Sequence, residues 1–424
     1  MQVRILSRVL KFNKSPLYTI LNSWSERWKA ELKPFVYFCS MITRDIYTEE
    51  HEIFRQSVRD FVAKEITPFN AQWEKDQMVS RESWLKLGEA GFLCMQAPEK
   101  YGGLDLHDFR YNTIFAEELG LTGCAGPAVG YPLHNDIVFP YILHYGQESF
   151  LEKVVPGCIS GETILAIAMT EPGAGSDLQG IRSSAQNMGD HYLLNGSKTF
   201  ITNGYLAGGV VVAAKTDPSK GAKGISLFYV DTKTEGFSKG KPFEKVGLHA
   251  QDTCELFFEN VKIPIENLLG EEGEGFSYLM TELAQERLVV ATGAIAQAEN
   301  ALQKTIQYVK ERSAFGTTVD KFQNTRFKIA ELATEVEIGR VFLDKCVAEH
   351  NEGRLDQATA SMAKYWLTDL QYKVAEEGLQ LHGGYGYIWE YDIARAWADS
   401  RVQRIYAGTN EIMKELIARN VLGK

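Results

Sequence analysis

The amino-acid sequence predicts an α+β protein of several domains, in which a small β domain lies between two helical domains. Two observations support this prediction. Apolar residues recur every three to four positions from Thr48 to about Gly157 and again after Gly270, a spacing that indicates amphipathic helices. Between Thr163 and Gly270 the period changes to two, and clusters of turn-forming residues divide the segment. The expected parts are an N-terminal extension at 1–40, a helical domain at 41–162, a β domain at 163–270 and a helical bundle at 271–424.

Composition and charge restrict the class of protein. The chain has 424 residues, of which 45% are hydrophobic and 24% are charged, an ordinary globular composition. Its formal net charge of −10 and its lack of a basic stripe argue against a nucleic-acid partner. The six cysteines form no C-x-x-C pair and no cluster with histidine, so we expect reduced thiols and no metal site. No apolar run is long enough for a transmembrane segment, and we expect a soluble intracellular protein.

The first forty residues differ from the rest. Four basic residues and no acidic residue precede Glu26, which is typical of a mitochondrial transit peptide. The aromatic-rich segment from Trp24 to Cys39 is unusual for such a peptide, so a true start at Met41 stays open as an alternative. We expect the mitochondrial matrix in a eukaryote and the cytoplasm in a bacterium.

The N-terminal helical domain begins with a capped helix. Thr48 precedes acidic residues and the apolar positions Phe54, Val58 and Val62, as at a helix N-terminus. A second helix around Trp84 is expected to stop at Gly91. Further helices are predicted at 111–119 and 136–144, and a glycine-rich loop from 120 to 130 is predicted to join them.

The central segment contains short strands separated by turns. Strands are predicted at 210–214, 224–230 and 255–258, and turn residues cluster at 195–196 and 217–219. Because no helix intervenes, a small antiparallel barrel or sandwich is expected. The remainder returns to long helices divided by glycine-containing breaks, which predicts an antiparallel bundle. The predicted helices are 275–312, 322–351, 356–381, 393–404 and 410–421.

Glu286 interrupts an apolar face of the first bundle helix. Leu279, Leu283 and Val290 recur near it at helical spacing. A carboxylate among apolar neighbours is costly unless it is paired or its pKa rises. A carboxylate of raised pKa suits proton abstraction next to a carbonyl group. The helix alone leaves a second interpretation open, that Glu286 is a solvated surface residue.

Two motifs in the β domain have the residues of a ligand site. In the run from Ala168 to Asp177, glycines allow backbone N–H groups to approach a ligand, and Thr170 and Ser176 add hydroxyl groups. The run does not match the dinucleotide-binding pattern G-x-G-x-x-G, and an ordinary turn between strands is the alternative interpretation. Phe200, between Lys198 and Gly204, can cover one face of a flat ring system or pack in the core.

Three motifs in the helical bundle have phosphate-binding chemistry. Arg312 can bind a phosphate with two hydrogen bonds while Phe315 stacks on a base, and Gln323 begins the next helix. The stretch 380–384 ends the third helix, where a plain helix C-cap is the alternative. The stretch 409–411 starts the last helix, whose free N–H groups can bind a pyrophosphate. Ordinary helix capping is the alternative.

Together and in this order, these motifs resemble the acyl-CoA dehydrogenase family over essentially all of residues 45–424, most closely its long-chain branch. The shared strings are A-M-T-E-P-G-A-G-S-D, Q-E-R-L, A-Q-D-T-x-E-L-F-F-E, Q-L-H-G-G and G-T-N-E-I-M-K-E-L-I-A-R. The resemblance implies FAD-dependent α,β-desaturation of medium- or long-chain acyl-CoA thioesters, the first step of fatty-acid β-oxidation. A carboxylate removes the α proton, a hydride passes to flavin N5, and electrons go to electron transfer flavoprotein. A homo-oligomer, usually a tetramer, is also implied.

The resemblance also implies which residues bind the two ligands. Residues matched to the FAD site, some of which serve a neighbouring subunit, are Ile167, Ala168, Met169, Thr170, Glu171, Pro172, Gly173, Ala174, Gly175, Ser176, Phe200, Ile201, Thr202, Arg312, Phe315, Gln323, Gln380, Leu381, His382, Gly383, Gly384, Thr409, Asn410 and Glu411. Residues matched to the acyl-CoA site are Ser176, Tyr278, Ala284, Gln285, Glu286, Arg287, Tyr406, Ala407 and Gly408.

The catalytic base is implied by a departure from the common family pattern. Many members carry the base as the Glu of a Y-E-G-T string, but this chain has Tyr406-Ala407-Gly408-Thr409. The long-chain and isovaleryl branches also lack that Glu and use one from the earlier helix, at the position that Glu286 matches. The resemblance therefore implies Glu286 as the base, with the backbone N–H of Ala407 polarising the thioester carbonyl.

Three other functions stay open at this point. The substrate can be isovaleryl-CoA or another short branched acyl-CoA, because that branch places its base at the same position. An acyl-CoA oxidase would pass electrons to oxygen, although this chain lacks the additional C-terminal domain that such enzymes usually have. A non-catalytic FAD-binding assembly factor would bind the cofactor without reducing it.

Overall fold

A computed structural model describes residues 42–423, so the expectations for the N-terminal extension lie outside the described residues. Within 42–423, no helix has both the length and the apolar character needed to cross a membrane. The N-terminal helices are α1 Glu49–Glu65, α2 Asn70–Asp76, α3 Arg81–Ala90, α4 Phe109–Gly120, α5 Ala125–Pro132, α6 Phe139–Tyr145 and α7 Glu148–Ser160.

The ends of the first predicted helices are as expected. Thr48 precedes α1 in an extended conformation, and its hydroxyl lies 2.8 Å from Nδ1 of His51 in the first turn. Helix α3 stops at Gly91, whose φ of 78° is left-handed. A residue without a Cβ adopts that conformation at low cost, which explains the end of the helix.

The predicted loop at 120–130 is wrong. Helix α5 occupies most of it and continues into a π-helical segment, Leu133–Val138, that leads into α6. The glycines here allow close packing: a Cβ on Gly126 would lie 2.7 Å from the Cβ of Ala250, and one on Gly130 would lie 2.8 Å from Oε1 of Gln251. Close approach to another segment, rather than a turn, therefore requires these glycines.

The predicted sheet is present and packs on both faces. Its strands are β1 Leu165–Ala168, β2 Ser184–Asn187, β3 His191–Ile201, β4 Gly209–Lys215, β5 Ile225–Asp231, β6 Phe237–Lys239, β7 Cys254–Pro264 and β8 Leu268–Leu269. Their order is β6-β7-β3-β2-β4-β5-β8, and β1 pairs with β4. The pairs are antiparallel except β1–β4 and β2–β4, which are parallel. Val211 of β4 packs towards α6 and α7, whereas Val210 and Val212 face the other side.

The helical bundle matches the prediction closely. Its helices are α8 Gly275–Glu311, α9 Gln323–Asn351, α10 Gln357–His382, α11 Asp392–Gln403 and α12 Asn410–Leu422. A short hairpin of β9 Ser313–Ala314 and β10 Thr317–Thr318 joins α8 to α9. Helix α8 has 37 residues, and a straight helix of that length spans about 55 Å.

A buried ionic network joins the helical parts. Glu117 of α4 is 1% exposed and accepts hydrogen bonds from Arg44 at 2.7 Å, Arg55 at 2.8 Å and Arg340 at 2.7 Å. Burial opposes ionisation of Glu117, but the three guanidinium groups outweigh it and hold its pKa well below the usual range. One carboxylate thus connects the segment before α1, α1 itself, α4 and α9.

Candidate active site

A cavity forms where α5, the π-helical segment, the ends of β1 and β3, α8 and the bend after α11 meet. Nine residues matched to the ligand sites line it: Ile167, Met169, Thr170, Phe200, Ile201, Thr202, Glu286, Tyr406 and Ala407. The lining also contains ten residues that the sequence did not indicate: Ala128, Val129, Pro132, Leu133, Ile137, Val289, Val290, Gly293, Gln297 and Gln403. Most of the wall is therefore apolar, and Glu286 is its acidic group.

Glu286 is the reactive group that this cavity offers. It is 3% exposed, and the hydroxyl of Tyr141 on α6 donates a hydrogen bond of 2.6 Å to its Oε1. Burial raises the pKa of Glu286 to about 7, although the Tyr141 hydrogen bond opposes the rise, and the nearby Glu282 carboxylate adds to it. A carboxyl group with this pKa can accept a proton near neutral pH. The interpretation of Glu286 as a solvated surface residue is wrong.

The residues directly before and after Glu286 in the sequence do not line the cavity. The Gln285 amide donates to the Asp136 carbonyl at 2.7 Å, and its Oε1 lies 3.1 Å from Nε2 of His350. The Arg287 guanidinium donates to Gln357 at 2.5 Å on α10. Of the stretch 284–287 that the resemblance matched to acyl-CoA, only the side chain of Glu286 borders the cavity.

Phe200 forms an exposed aromatic wall near the end of β3. Its φ is 59° and its side chain is 67% exposed, so the interpretation as a core residue is wrong. A bulky residue in the left-handed region is uncommon and is often found where strain serves a site. The Thr199 N–H donates to the Thr170 carbonyl at 2.9 Å, which connects this wall to the segment after β1.

Only part of the run 167–176 borders the cavity. Ala168 and Ala174 are buried in the hydrophobic cores. Glu171 accepts hydrogen bonds from Lys198 Nζ at 2.8 Å and from the Ser183 N–H at 3.0 Å, so its side chain fixes the turn. The rest of the turn is exposed, and a Cβ on either of its two glycines would meet nothing within 4 Å; these exposed residues are Pro172, Gly173, Gly175 and Ser176.

The bend after α11 presents a backbone donor to the cavity. Ala407 has a φ of 50°, and no residue in 42–423 accepts a hydrogen bond from its N–H. Lys364 of α10 is fully buried and donates to the Gly408 carbonyl at 2.7 Å and to Oδ1 of Asn410 at 3.0 Å. Thr409 caps α12 by accepting from the Ile412 N–H. The bend is thus held from both sides while the Ala407 N–H stays available.

A second group of matched residues lies at the other end of α8. Arg312 is 26 positions beyond Glu286, which corresponds to about 39 Å along a helix. Its guanidinium lies 5.4 Å from the ring centre of Tyr385. The ring of His382 stacks on Tyr308 at 4.1 Å, and Phe315 is 98% exposed. None of this group lines the cavity within a single chain. Its members are Arg312, Phe315, Gln323, Gln380, Leu381, His382, Gly383 and Gly384.

Tyr278 also lies outside the cavity lining. Its ring stacks on Tyr145 at 4.1 Å, and its hydroxyl accepts from the Glu271 N–H.

Two functional features escaped sequence reasoning. Tyr141 contacts Glu286 across 145 positions of the chain, and no local pattern indicates such a pairing. The α5 wall was missed because the stretch 125–132 contains two glycines and two prolines, residues that favour turns.

Comparison with known proteins gives a consistent result. The family models of the acyl-CoA dehydrogenase N-terminal, middle and C-terminal domains match residues 48–162, 166–261 and 273–422. The mitochondrial long-chain specific acyl-CoA dehydrogenase of Mus musculus is 51% identical over 381 residues, covering 89% of this chain and 88% of that protein. A crystal structure of an acyl-CoA dehydrogenase from Geobacillus kaustophilus is similar, with a TM-score of 0.87, 52% identity, and coverage of 89% of this chain and 100% of that one. A glutaryl-CoA dehydrogenase from Mycobacterium smegmatis in complex with FADH2 has a TM-score of 0.84, 27% identity, and coverage of 90% of this chain and 97% of its own.

Proposed function

The chain belongs to the acyl-CoA dehydrogenase family, and we propose that it desaturates medium- or long-chain acyl-CoA thioesters between the α and β carbons. It is an oxidoreductase that acts on acyl-CoA and depends on FAD. The observation that carries the proposed reaction is Glu286, whose pKa burial raises to about 7, in a cavity where Ala407 occupies the alternative base position.

The residues around the cavity fit a flavin. Thr170 and Thr202 offer hydroxyl groups, Phe200 offers an exposed aromatic face, and the remaining wall is apolar, as a flat heteroaromatic ring requires. Gly173 and Gly175 leave room for a ligand to approach the backbone. When bound here, FAD would accept the β hydride of the substrate.

The pyrophosphate and adenosine of FAD need residues that one chain does not bring to this cavity. The Arg312 group offers a guanidinium, the exposed ring of Phe315 and the open backbone of Gly383 and Gly384, which suit phosphates and a base. About 39 Å of helix separates Arg312 from Glu286 in the same chain. We therefore propose that a second copy of the chain supplies this group, in a homo-oligomer that the family resemblance suggests is a tetramer.

Two groups of the chain act on the thioester in this proposal. The Glu286 carboxylate removes the α proton, and the Ala407 N–H donates a hydrogen bond to the thioester carbonyl oxygen. Negative charge develops on that oxygen as the proton leaves, so a fixed donor there lowers the barrier. The available N–H of Ala407 and the lysine that fixes its bend support this role.

Family membership supports three further proposals. We propose electron transfer flavoprotein as the electron acceptor, and the mitochondrial matrix as the compartment in a eukaryote or the cytoplasm in a bacterium. We also propose that the domains comprise residues 41–162, 163–270 and 271–424.

Acyl chain length is tested by anaerobic titration of the purified holoenzyme. We expect straight medium- and long-chain acyl-CoAs to bleach the flavin absorbance and isovaleryl-CoA to leave it unchanged, because the chain is 51% identical to a long-chain specific acyl-CoA dehydrogenase. Bleaching by isovaleryl-CoA alone would overturn the chain-length assignment but keep the reaction. No bleaching by any thioester would favour the assembly factor, and rapid oxygen uptake would favour an oxidase.

The pH dependence of the reaction tests the proposed base. Because Glu286 must be ionised to accept a proton and its pKa is raised to about 7, kcat/KM for a long-chain acyl-CoA should rise with pH and be half-maximal near pH 7. The rate falls as the pH is lowered, because the protonated form of Glu286 predominates below pH 7 and cannot accept the α proton. A profile that is flat from pH 5 to 8 would contradict the assignment. The acyl group of the substrate has no ionisable group, so it adds no titration of its own to the profile.

A further inference from the structure

Two tyrosine–glutamate pairs connect α6 with α8. The Tyr141 hydroxyl donates to Oε1 of Glu286 at 2.6 Å, and the Tyr145 hydroxyl donates to Oε1 of Glu282 at 3.0 Å. Members of each helix are four positions apart, so they lie one above the other on the same face. The later tyrosine pairs with the earlier glutamate, and the two helices therefore run antiparallel with two similar contacts one turn apart.

The two pairs differ in their surroundings. Tyr141 and Glu286 are both buried, with 0% and 3% exposure, and Glu286 borders the cavity. Glu282 is also contacted by His144, whose Nδ1 lies 2.9 Å from Oε1 and whose side chain is 51% exposed. The inner pair thus belongs to the reaction centre, whereas the outer pair connects to the surface.

The inner hydrogen bond restricts the base. A buried carboxyl group with no partner can rotate and is protonated in a larger fraction of molecules, so fewer molecules hold a carboxylate that is ready to accept the α proton. The Tyr141 hydroxyl donates to Oε1, which fixes the plane of the carboxyl group, and it makes no hydrogen bond to Oε2. Because Tyr141 belongs to a different helix from Glu286, the direction of this oxygen is set by the packing of α6 on α8.

We propose that Tyr141 is a positioning residue for Glu286: its hydroxyl holds Oε1, so that Oε2 is presented to the α proton of the acyl-CoA. This inference rests on the function proposed above. In the step itself, the Cα–H bond breaks, the proton forms an O–H bond with Glu286, and the electron pair stays with the substrate. Tyr141 keeps its own proton throughout.

The charged groups around Glu286 support the same role. Burial raises the pKa of Glu286, the Tyr141 hydrogen bond lowers it, the Glu282 carboxylate of the same helix raises it, and the Arg287 guanidinium lowers it. His144 pairs with Glu282 and can offset its charge when protonated. Of these groups, Tyr141 is the one that donates a hydrogen bond to Glu286, so its removal should shift the base towards its protonated form.

The test is Tyr141→Phe in the holoenzyme, with Tyr145→Phe as the matched control. Tyr141→Phe should slow flavin bleaching at pH 7 about 10- to 100-fold, the value of a hydrogen bond to a charged group. It should also move the midpoint of the pH profile upwards by about one pH unit. Tyr145→Phe removes the same phenolic hydroxyl one helical turn away. It should leave the midpoint of the pH profile at its value in the unchanged enzyme.

A second readout does not depend on turnover. The infrared carboxyl stretch of Glu286, identified by its loss in Glu286→Gln, should titrate at higher pH in Tyr141→Phe than in the unchanged protein. An unchanged titration and an unchanged pH midpoint would overturn the proposal and leave Tyr141 a packing role. If no acyl-CoA bleaches the flavin, the proposed function is refuted. The infrared titration still tests the hydrogen bond between Tyr141 and Glu286 in that case.

A chemical variant covers the case in which Tyr141→Phe does not fold. Placing 3,5-difluorotyrosine at position 141 keeps the hydroxyl and makes it a stronger donor. The Glu286 titration should then move to lower pH, and a midpoint equal to that of the unchanged protein would overturn the proposal.

Discussion

Glu286→Gln is expected to lower turnover of a long-chain acyl-CoA by between about one hundredfold and ten thousandfold, the contribution of a general base. Glutamine has nearly the same shape and can still accept the Tyr141 hydrogen bond, so the cavity should stay intact. FAD content, read from the visible absorbance, and affinity for a non-reactive thioether analogue should therefore change little. Anaerobic rapid mixing with substrate measures the loss in the reductive step.

Glu282→Gln is the matched control for this variant. It removes a carboxylate from the same helix one turn away, where the partners are Tyr145 and His144. We expect it to keep most of the turnover, and its altered charge should lower the midpoint of the pH profile, because the Glu282 charge raises the pKa of Glu286. Substantial turnover in Glu286→Gln would reject Glu286 as the base.

The double variant Glu286→Gln with Ala407→Glu tests whether the two base positions share one geometry. Ala407 lines the same cavity, so a carboxylate there should reach the α proton and restore part of the turnover. The left-handed φ of 50° makes a larger side chain costly at this position, and rescue is therefore expected to be incomplete. A complete lack of rescue in a folded, FAD-containing double variant would argue against the shared geometry.

Much of the fold is predictable because local patterns and packing agree. The bundle helices begin and end within one or two residues of the predicted positions, since their apolar faces are long and their glycine breaks are distinct. Strand β4 was predictable for a different reason: residues on both of its faces are buried, which leaves a continuous apolar run. In both cases the burial follows directly from the order of apolar residues, which is periodic in the helices and continuous in β4.

The prediction for residues 120–130 failed because glycine has two roles that sequence does not separate. Gly126 and Gly130 lie inside a buried helix, where they allow Ala250 and Gln251 to approach closely. These contacts join positions more than one hundred residues apart, so they leave no local signal. The same error hid the α5 wall of the cavity, including Ala128 and Val129.

The candidate site was predictable in its parts but not in its assembly. Glu286 was indicated by the family resemblance, because its helix alone left a solvated surface residue as an alternative, and the structure buries its side chain. The motif around Arg312 was also indicated, yet it lies at the far end of the same helix. Which motifs meet depends on tertiary packing and, in the homo-oligomer proposed above, on a second copy of the chain, and neither is encoded in local spacing. Tyr141 escaped detection for the same reason.

Glu117→Ala is expected to lower the free energy of unfolding by about 3–5 kcal/mol, the typical cost of breaking a buried ionic pair. Three guanidinium groups, those of Arg44, Arg55 and Arg340, donate to this one carboxylate. Its removal leaves buried positive charge without its shared counter-ion, and Arg340 itself is 3% exposed. Denaturant titration followed by circular dichroism measures the loss, and flavin release on heating gives a second transition.

The control for this variant is Glu52→Ala, which removes an exposed partner of the same Arg55. The side chain of Glu52 is 56% exposed and lies 3.3 Å from the guanidinium, so water replaces it and the expected change is below about 1 kcal/mol. If Glu117→Ala cost no more than this control, the neighbouring acids Asp344, Glu118 and Glu299 would be enough to neutralise Arg44, Arg55 and Arg340. A large difference between two carboxylates that share Arg55 would instead assign the stabilisation to burial and to the number of helices that Glu117 joins.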